Sequence, residues 1–162
     1  MLISIIIPVF NEETFIKEIL TRINNINGLK KEIIVVNDCS NDNTSKILES
    51  ECENLYTKII KNNKNMGKGY SVRQGIVHSS GEIIIIQDAD LEYNPDNYLT
   101  LINPIVNGEA QVVYGSRVLN GGTRTRPNTI DTKIRMFANN FLTFFFFKEN
   151  LVNFFEKVIL ML

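Results

Sequence analysis

Short runs rich in isoleucine and valine alternate with amphipathic segments along the first 115 residues. The runs occupy residues 2–7, 33–36, 56–60, 83–86 and 110–114, and the fourth is isoleucine throughout. Strands that are apolar on both sides are buried on both faces, which is typical of a parallel sheet with helices on each face. We therefore predict an α/β fold with a mainly parallel sheet.

Helical patterns separate these runs. Residues 12–26 place apolar side chains at the spacing of a helix face, namely Ile16, Ile19, Leu20 and Ile23. Further helices are expected after Ser40 or Asn41, over residues 69–80, and from Asn94-Pro95 onward. With right-handed crossovers, we predict a strand order of about 3-2-1-4, with strand five beside strand four.

Composition excludes several functional classes. The 162 residues suffice for one domain, and 17 basic against 18 acidic residues leave a net charge of −1. No global field attracts nucleic acid, so we expect no nucleic-acid partner. The apolar N-terminus carries no basic leader, and the chain has no uncharged apolar stretch of 18 residues. These features predict a cytoplasmic protein.

Polar residues that follow the strands are the first candidates for function, because ligands of such sheets bind beyond the carboxyl ends of the strands. After strand one, Phe10 offers a ring face and Glu12 an acceptor, although a strand end and a helix-favouring acid also explain them. After strand two, residues 37–44 hold more side-chain acceptors than a helix cap requires. The cationic loop around Lys68 either approaches a phosphate or is an ordinary turn.

The fourth strand is followed by three acids at alternate positions, Asp88, Asp90 and Glu92. Their mutual repulsion is tolerable when a hard cation lies between them, and Mg²⁺ or Mn²⁺ takes carboxylate and phosphate oxygens. We favour such a metal site over a solvated turn. After the fifth strand, Arg117 either pairs with a phosphate or is a surface charge.

The ordered motifs SIIIPVFNE, IIVVNDCSNDNT, NMGKGY, IIIIQDADLEYNP and VVYGSR resemble those of family-two glycosyltransferases. These enzymes have the Rossmann-like GT-A fold, a mainly parallel sheet with helices on both faces. The closest likeness is to the dolichyl- or polyprenyl-phosphate sugar transferases, and it covers about residues 2–125. It implies a nucleotide-sugar-binding domain over residues 1–130.

The resemblance also implies roles for individual residues. Nucleotide-sugar binding would fall to Pro8, Phe10, Glu12, Val36, Asp38, Asp88, Ala89, Asp90 and Arg117. The DxD segment 88–90, with Glu92, would hold Mg²⁺ or Mn²⁺, and Asp90 and Arg117 would act in catalysis. Phe10 stands where the family often has Tyr, Asn37 replaces the first acid of an Asp pair, and Glu92 replaces a frequent Gln.

The implied activity is metal-assisted, inverting transfer of a sugar from a nucleoside-diphosphate sugar to a lipid phosphate or a glycan. One alternative is a nucleotide-binding remnant without turnover. A further alternative is nucleotidyl transfer, which would favour a glycine-rich basic loop after strand one, whereas this chain has FNEET.

Residues 131–162 depart from the family pattern. Eight of the ten phenylalanines lie between residues 137 and 155, and from Leu151 apolar residues recur at helical spacing. We expect an apolar helical tail covered by the domain itself, by a second copy of the chain, or by peripheral contact with the inner face of a membrane. We interpret the chain as truncated, with most acceptor-side residues missing.

Overall fold

The computed structural model describes residues 1–91, 93–115 and 158–161. The elements follow one another as β1 (Ile3–Val9), α1 (Ile16–Asn24), β2 (Lys31–Asn37), α2 (Thr44–Ser50), β3 (Lys58–Lys61), α3 (Lys68–Val77), β4 (Ile83–Ile86), a 3-10 turn (Pro95–Asn97), α4 (Tyr98–Val106), β5 (Val112–Gly115) and β6 (Val158–Met161). Strand–helix alternation through β5 confirms the α/β prediction.

The six described strands form one sheet in the order β3-β2-β1-β4-β6-β5, and every neighbouring pair is parallel. The predicted order 3-2-1-4 is confirmed. The prediction that strand five lies beside strand four is wrong, because β6 pairs with both: Ile159 is in register with Ile85 on one side and Val113 on the other.

The same strand corrects part of the tail prediction. Residues 158–161 are extended and hydrogen-bonded into the sheet, whereas we expected the end of an amphipathic helix. A short apolar run is compatible with either structure, and available partners on both sides favour the strand. Residues 131–157 and 162 lie outside the described part of the chain, so the domain boundary near residue 130 remains a prediction.

Side-chain alternation along β1 explains how helices cover both faces of the sheet. Ile5 and Ile7 belong to a core that also contains buried residues of α1, α2 and α4. Ile6 points to the opposite face, where α3 passes so closely that Gly75 leaves no room for a Cβ atom beside the Ile6 side chain. Within the described residues, no helix has the length and apolarity needed to span a bilayer.

One helix start differs from its sequence pattern and another agrees with it. The first helix begins at Ile16 rather than at Glu12: Asn11 has φ 55°, and a turn in which the Phe15 amide donates to the Glu12 carbonyl at 3.1 Å precedes the helix. The predicted cap at Asn94 is confirmed: its side chain accepts a hydrogen bond from the Asp96 amide at 3.2 Å. Pro95 opens a 3-10 turn, after which α4 begins.

The amino ends of the strands are fixed by Glu32. Its Oε1 accepts hydrogen bonds from the Ser4 hydroxyl at 2.5 Å and the Ser80 amide at 2.6 Å. Gly81 donates its amide to the Ser4 hydroxyl at 2.8 Å. Burial pushes the pKa of Glu32 up, but these hydrogen bonds outweigh it and leave the pKa below its ordinary value. This network ties β1, β2 and the start of β4 together.

Candidate functional site

A cleft of about 230 Å³ lies beyond the carboxyl ends of β1, β2 and β4. Its lining consists of Pro8, Val9, Phe10, Glu12, Asp38, Lys68, Ser71, Asp88, Ala89 and Asp90. Seven of these ten residues are among those singled out from the sequence. The cleft therefore gathers the predicted residues from three separate strand ends, where ligands of parallel sheets bind.

The other three residues of the predicted site are Val36, Glu92 and Arg117. Val36 is fully buried and pairs with Pro8 inside the sheet, so its side chain faces the interior. Glu92 and Arg117 lie outside the described residues, and their roles stay predictions.

The loops that follow β1 and β2 brace each other. The Asn11 amide donates to the Ser40 hydroxyl at 3.1 Å, and the Asn41 amide donates back to Asn11 Oδ1 at 2.8 Å. The Glu12 amide donates to Thr44 Oγ1 at 2.9 Å. These bonds explain the excess of polar side chains over residues 37–44, and they fix the backbone that presents Phe10 and Glu12 to the cleft.

Asp38 is buried, and its carboxylate is held by the loop between β3 and α3. Oδ1 accepts from Asn62 Nδ2 at 2.6 Å and from the Met66 amide at 2.9 Å, while Oδ2 accepts from the Gly67 amide at 2.7 Å. Burial pushes the pKa of Asp38 up, but the hydrogen bonds from this loop outweigh it and lower the pKa. Asp38 therefore shapes the wall of the cleft as a charged anchor.

Lys68, the first residue of α3, reaches across the cleft to Asp88. Its Nζ lies 2.6 Å from Oδ1 and 2.9 Å from Oδ2 of that carboxylate. The Asp88 side chain is 23% exposed and that of Lys68 is 51% exposed, so the ion pair is accessible to ligands that enter the cleft.

The cleft concentrates negative charge. Burial, followed by the negative charges of Asp90, Asp42 and Asp88, raises the pKa of the Glu12 carboxyl. Glu12, Asp88 and Asp90 all line the cleft, and Lys68 is paired with Asp88. A divalent cation at this place would relieve the repulsion.

The carboxylates of the cleft provide part of what a hard divalent cation requires. Within the described ranges, no three acidic, histidine or cysteine side chains converge as a complete metal-binding set. Asp88 and Asp90 supply carboxylate oxygens, and Mg²⁺ or Mn²⁺ commonly takes one or two carboxylates and completes its shell with water and substrate phosphates. The residues present fit such an ion.

A buried contact supports the segment that carries Asp88. The Tyr98 hydroxyl, at the start of α4, donates to Gln87 Oε1 at 2.8 Å, and Gln87 Nε2 donates to the carbonyl of Asp88 at 3.0 Å. Both Tyr98 and Gln87 are fully buried, and burial raises the pKa of Tyr98 well above its ordinary value. The hydroxyl is therefore a neutral, fixed donor.

Lys68, Ser71 and Tyr98 were not among the predicted site residues. The sequence presents Lys68 only as a cation in a loop, because Asp88 is 20 residues away along the chain. The two residues come together only when the strands assemble into the sheet. Tyr98 lies at an apolar position of a helix, where core packing is the ordinary interpretation. The sequence left the cationic loop around Lys68 open between contact with a phosphate and an ordinary turn.

The sheet and its cleft define an α/β domain with the GT-A fold. Among solved structures, the chain is similar to S. aureus TarS 1-349, with a TM-score of 0.61 and 24% identity over 80% of this chain and 39% of that one. It is also similar to the mannosyltransferase PcManGT from Pyrobaculum calidifontis, solved in complex with GDP-Man and Mn²⁺. That match has a TM-score of 0.51 and 29% identity over 54% of this chain and 27% of that one.

The chain belongs to glycosyl transferase family 2, whose model matches residues 4–160. It is 36% identical over 123 residues to dolichol-phosphate mannosyltransferase of Pyrococcus furiosus, covering 75% of this chain and 35% of that protein. It is 33% identical over 135 residues to UDP-N-acetylglucosamine--dolichyl-phosphate N-acetylglucosaminyltransferase of Methanococcus voltae, covering 74% and 53%. The family resemblance of the motifs is confirmed, and the chain spans between a third and about half of these relatives.

Proposed function

We propose that this chain binds the donor in a glycosyl transfer from a nucleoside-diphosphate sugar to a lipid phosphate or glycan. The observation that carries the proposal is the meeting of Asp88 and Asp90 with Phe10, Glu12 and Asp38 around one cleft. Family membership supports the same reaction class. The alternative of nucleotidyl transfer has no comparable support from either source.

The cleft residues divide between the two ends of a nucleotide sugar. Phe10 is 40% exposed, so its ring is free to stack on a base, a contact that aromatic side chains make readily. Pro8 and Asp38 are proposed on the same side, and Val36, which is fully buried and pairs with Pro8, would support this side without touching the nucleotide. Glu12 is close enough to Asp88 and Asp90 for their charges to raise its pKa.

Asp88 and Asp90, with Glu92, are proposed to hold the divalent cation, and Ala89 keeps the segment between them small. Once bound, Mg²⁺ or Mn²⁺ supplies Lewis-acid stabilisation of the diphosphate leaving group. Arg117 is proposed on the phosphate side, where its guanidinium would pair with phosphate oxygens. Arg117 would stabilise the negative charge that develops on the diphosphate as the sugar–phosphate bond breaks, and Asp90 would contribute by holding the cation.

The names of the two curated relatives support a lipid phosphate as acceptor, since both refer to dolichol or dolichyl phosphate. A phosphate acceptor is already ionised and needs little help from a general base. Attack from the face opposite the leaving group would invert the anomeric centre. Such an acceptor would bring the protein to the inner face of a membrane, and contact through the tail, or a homodimer formed by it, remains part of the proposal.

Calorimetry with UDP and GDP, each with and without Mn²⁺, tests the donor site. We expect one of the nucleotides to bind only when Mn²⁺ is present. Asp90→Asn should weaken the metal-dependent binding about 10-fold or more, because a charged ligand of a hard cation is lost. Asp96→Asn is the matched control, since Asp96 is exposed and does not line the cleft. Binding that is absent or independent of metal would contradict the proposal.

Transfer itself is tested with labelled UDP- and GDP-sugars and polyprenyl phosphate. A labelled lipid product, lost in Asp90→Asn and retained in Asp96→Asn, is the expected outcome. Metal-dependent nucleotide binding without any product would identify a donor-binding unit that lacks turnover, and the transfer proposal would then be wrong. Release of pyrophosphate from a nucleoside triphosphate would instead indicate nucleotidyl transfer.

A further inference from the structure

We propose that Lys68 is an internal counter-ion that competes with the divalent cation for Asp88 and thereby makes binding of the cation depend on the nucleoside diphosphate. This inference rests on the proposed donor site. It assigns to Lys68 a regulatory role in ligand binding, which neither the sequence motifs nor the names of the relatives indicate.

The backbone before Lys68 is held in one conformation. Gly67 has φ 85° and ψ 160°, a region that residues with a side chain rarely adopt. Asp38 fixes this residue by accepting its amide, and Asn62 donates to both Asp38 and the Ser71 hydroxyl. The start of α3 is therefore anchored to the end of β2, and Lys68 projects from a fixed point.

The ammonium group lies within 2.9 Å of both oxygens of Asp88. A cation that binds this carboxylate must displace the ammonium or accept its repulsion at short range. The pair is partly exposed, so it exchanges with ligands from solvent. In the absence of nucleotide, Lys68 therefore weakens cation binding at Asp88.

A bound diphosphate changes this balance. It brings several negative oxygens into the cleft that Lys68 also lines. A lysine is a flexible point charge with three donors, so it can leave Asp88 and pair with phosphate without movement of the backbone. Asp88 is then free for the cation. Each ligand strengthens the binding of the other, which is positive coupling between the two.

The test measures Mn²⁺ binding by electron paramagnetic resonance with Mn²⁺ alone and again with saturating UDP or GDP. Lys68→Met should bind Mn²⁺ alone about 3- to 10-fold more tightly than wild type, in line with the modest strength of exposed ion pairs. With nucleotide present, Lys68→Met should bind Mn²⁺ no more tightly than wild type does, or more weakly. Lys64→Met is the matched control, because Lys64 is an exposed lysine of the same loop and does not line the cleft.

A second variant keeps the proposal testable if Lys68→Met fails to fold. Lys68→Arg keeps the charge and can hold a carboxylate through two parallel hydrogen bonds, so Mn²⁺ alone should bind less tightly than to wild type. If both variants match Lys64→Met, the competition is wrong even when wild type shows metal-dependent nucleotide binding. If the Mn²⁺ shifts occur but no nucleotide binds, Lys68 competes with the cation at Asp88, but the coupling to nucleotide and the proposed donor site are both wrong.

Discussion

The Gly67 amide donates a 2.7 Å hydrogen bond to Asp38 Oδ2, and this contact joins the end of β2 to the start of α3. The other oxygen of Asp38 receives the Met66 amide at 2.9 Å. Both donors are backbone groups, which would be left without partners if the carboxylate were removed. The wall of the cleft thus depends on a charge that the sequence presents only as a ligand candidate.

We expect Asp38→Asn to lower the free energy of unfolding by about 1–3 kcal/mol, because an amide turns at least one N–H group toward the donors of the loop. Urea denaturation at pH 7 measures the change, and Asp96→Asn provides the same chemical substitution at an exposed position. Equal midpoints for the two variants would show that the loop does not depend on the Asp38 charge.

Tyr98→Phe removes the donor that satisfies buried Gln87 Oε1. We expect a loss of about 1–2 kcal/mol in stability, together with weaker Mn²⁺ binding in the presence of nucleotide, because Gln87 holds the carbonyl of Asp88. The matched control is Tyr56→Phe, whose hydroxyl makes a longer bond of 3.3 Å to the Leu48 carbonyl. A loss of stability with unchanged Mn²⁺ affinity would limit Tyr98 to a packing role.

The fold was predictable where the local sequence pattern and the tertiary neighbours favour the same secondary structure. The isoleucine run of β4 is buried whatever its neighbours, and the helical spacing of Ile16, Ile19, Leu20 and Ile23 matches the residues buried in α1. The position of β6 was not predictable, because its four residues carry no local signal that separates strand from helix, and the partners β4 and β5 lie more than 40 residues earlier in the chain.

The candidate site also contains residues that the sequence could identify and features that only the tertiary structure determines. Asp88 and Asp90 were identifiable because crowded acids after a buried strand need a physical explanation. The direction of the Asp38 carboxylate and the reach of Lys68 depend on how the loop 62–67 folds between two strands, and that information is tertiary. Val36 was placed at the site by resemblance alone, and it is buried because both faces of β2 are covered along residues 33–37.

Glu32 predicts a specific dependence of stability on pH. Its pKa in the folded protein lies below the ordinary value of 4.5, so the carboxylate contributes stability above the pKa of the unfolded chain. That contribution is lost as the pH falls through the lower pKa of the folded state. The pKa of Asp38 is also lowered, from an ordinary value of 3.8, so its contribution to stability is likewise present above that value and lost as the pH falls below it.

Glu32→Gln should lower stability by about 1–3 kcal/mol at pH 7, and the difference from wild type should shrink as the pH falls below the ordinary value of 4.5. Urea midpoints at several pH values measure this, with Glu53→Gln as an exposed control. A difference that stays constant across the acid range would mean that the charge of Glu32 is not the stabilising feature.

The last prediction concerns β6, whose backbone bridges β4 and β5 with Ile159 in register with Ile85 and Val113. Proline at position 159 removes an N–H group from a strand that pairs on both sides, and we expect a loss of about 3 kcal/mol or more. Ile159→Val, which keeps the β-branched shape and the N–H group, should cost about 1 kcal/mol at most.

Urea denaturation gives the stabilities, and hydrogen exchange should show faster exchange at the amides of β4 and β5 in the proline variant alone. Because Asp88 and Asp90 follow β4, nucleotide affinity should fall with it. Exchange rates in β4 that match those of Ile159→Val would show that β6 does not hold the two strands together, and the strand order given for this half of the sheet would be wrong.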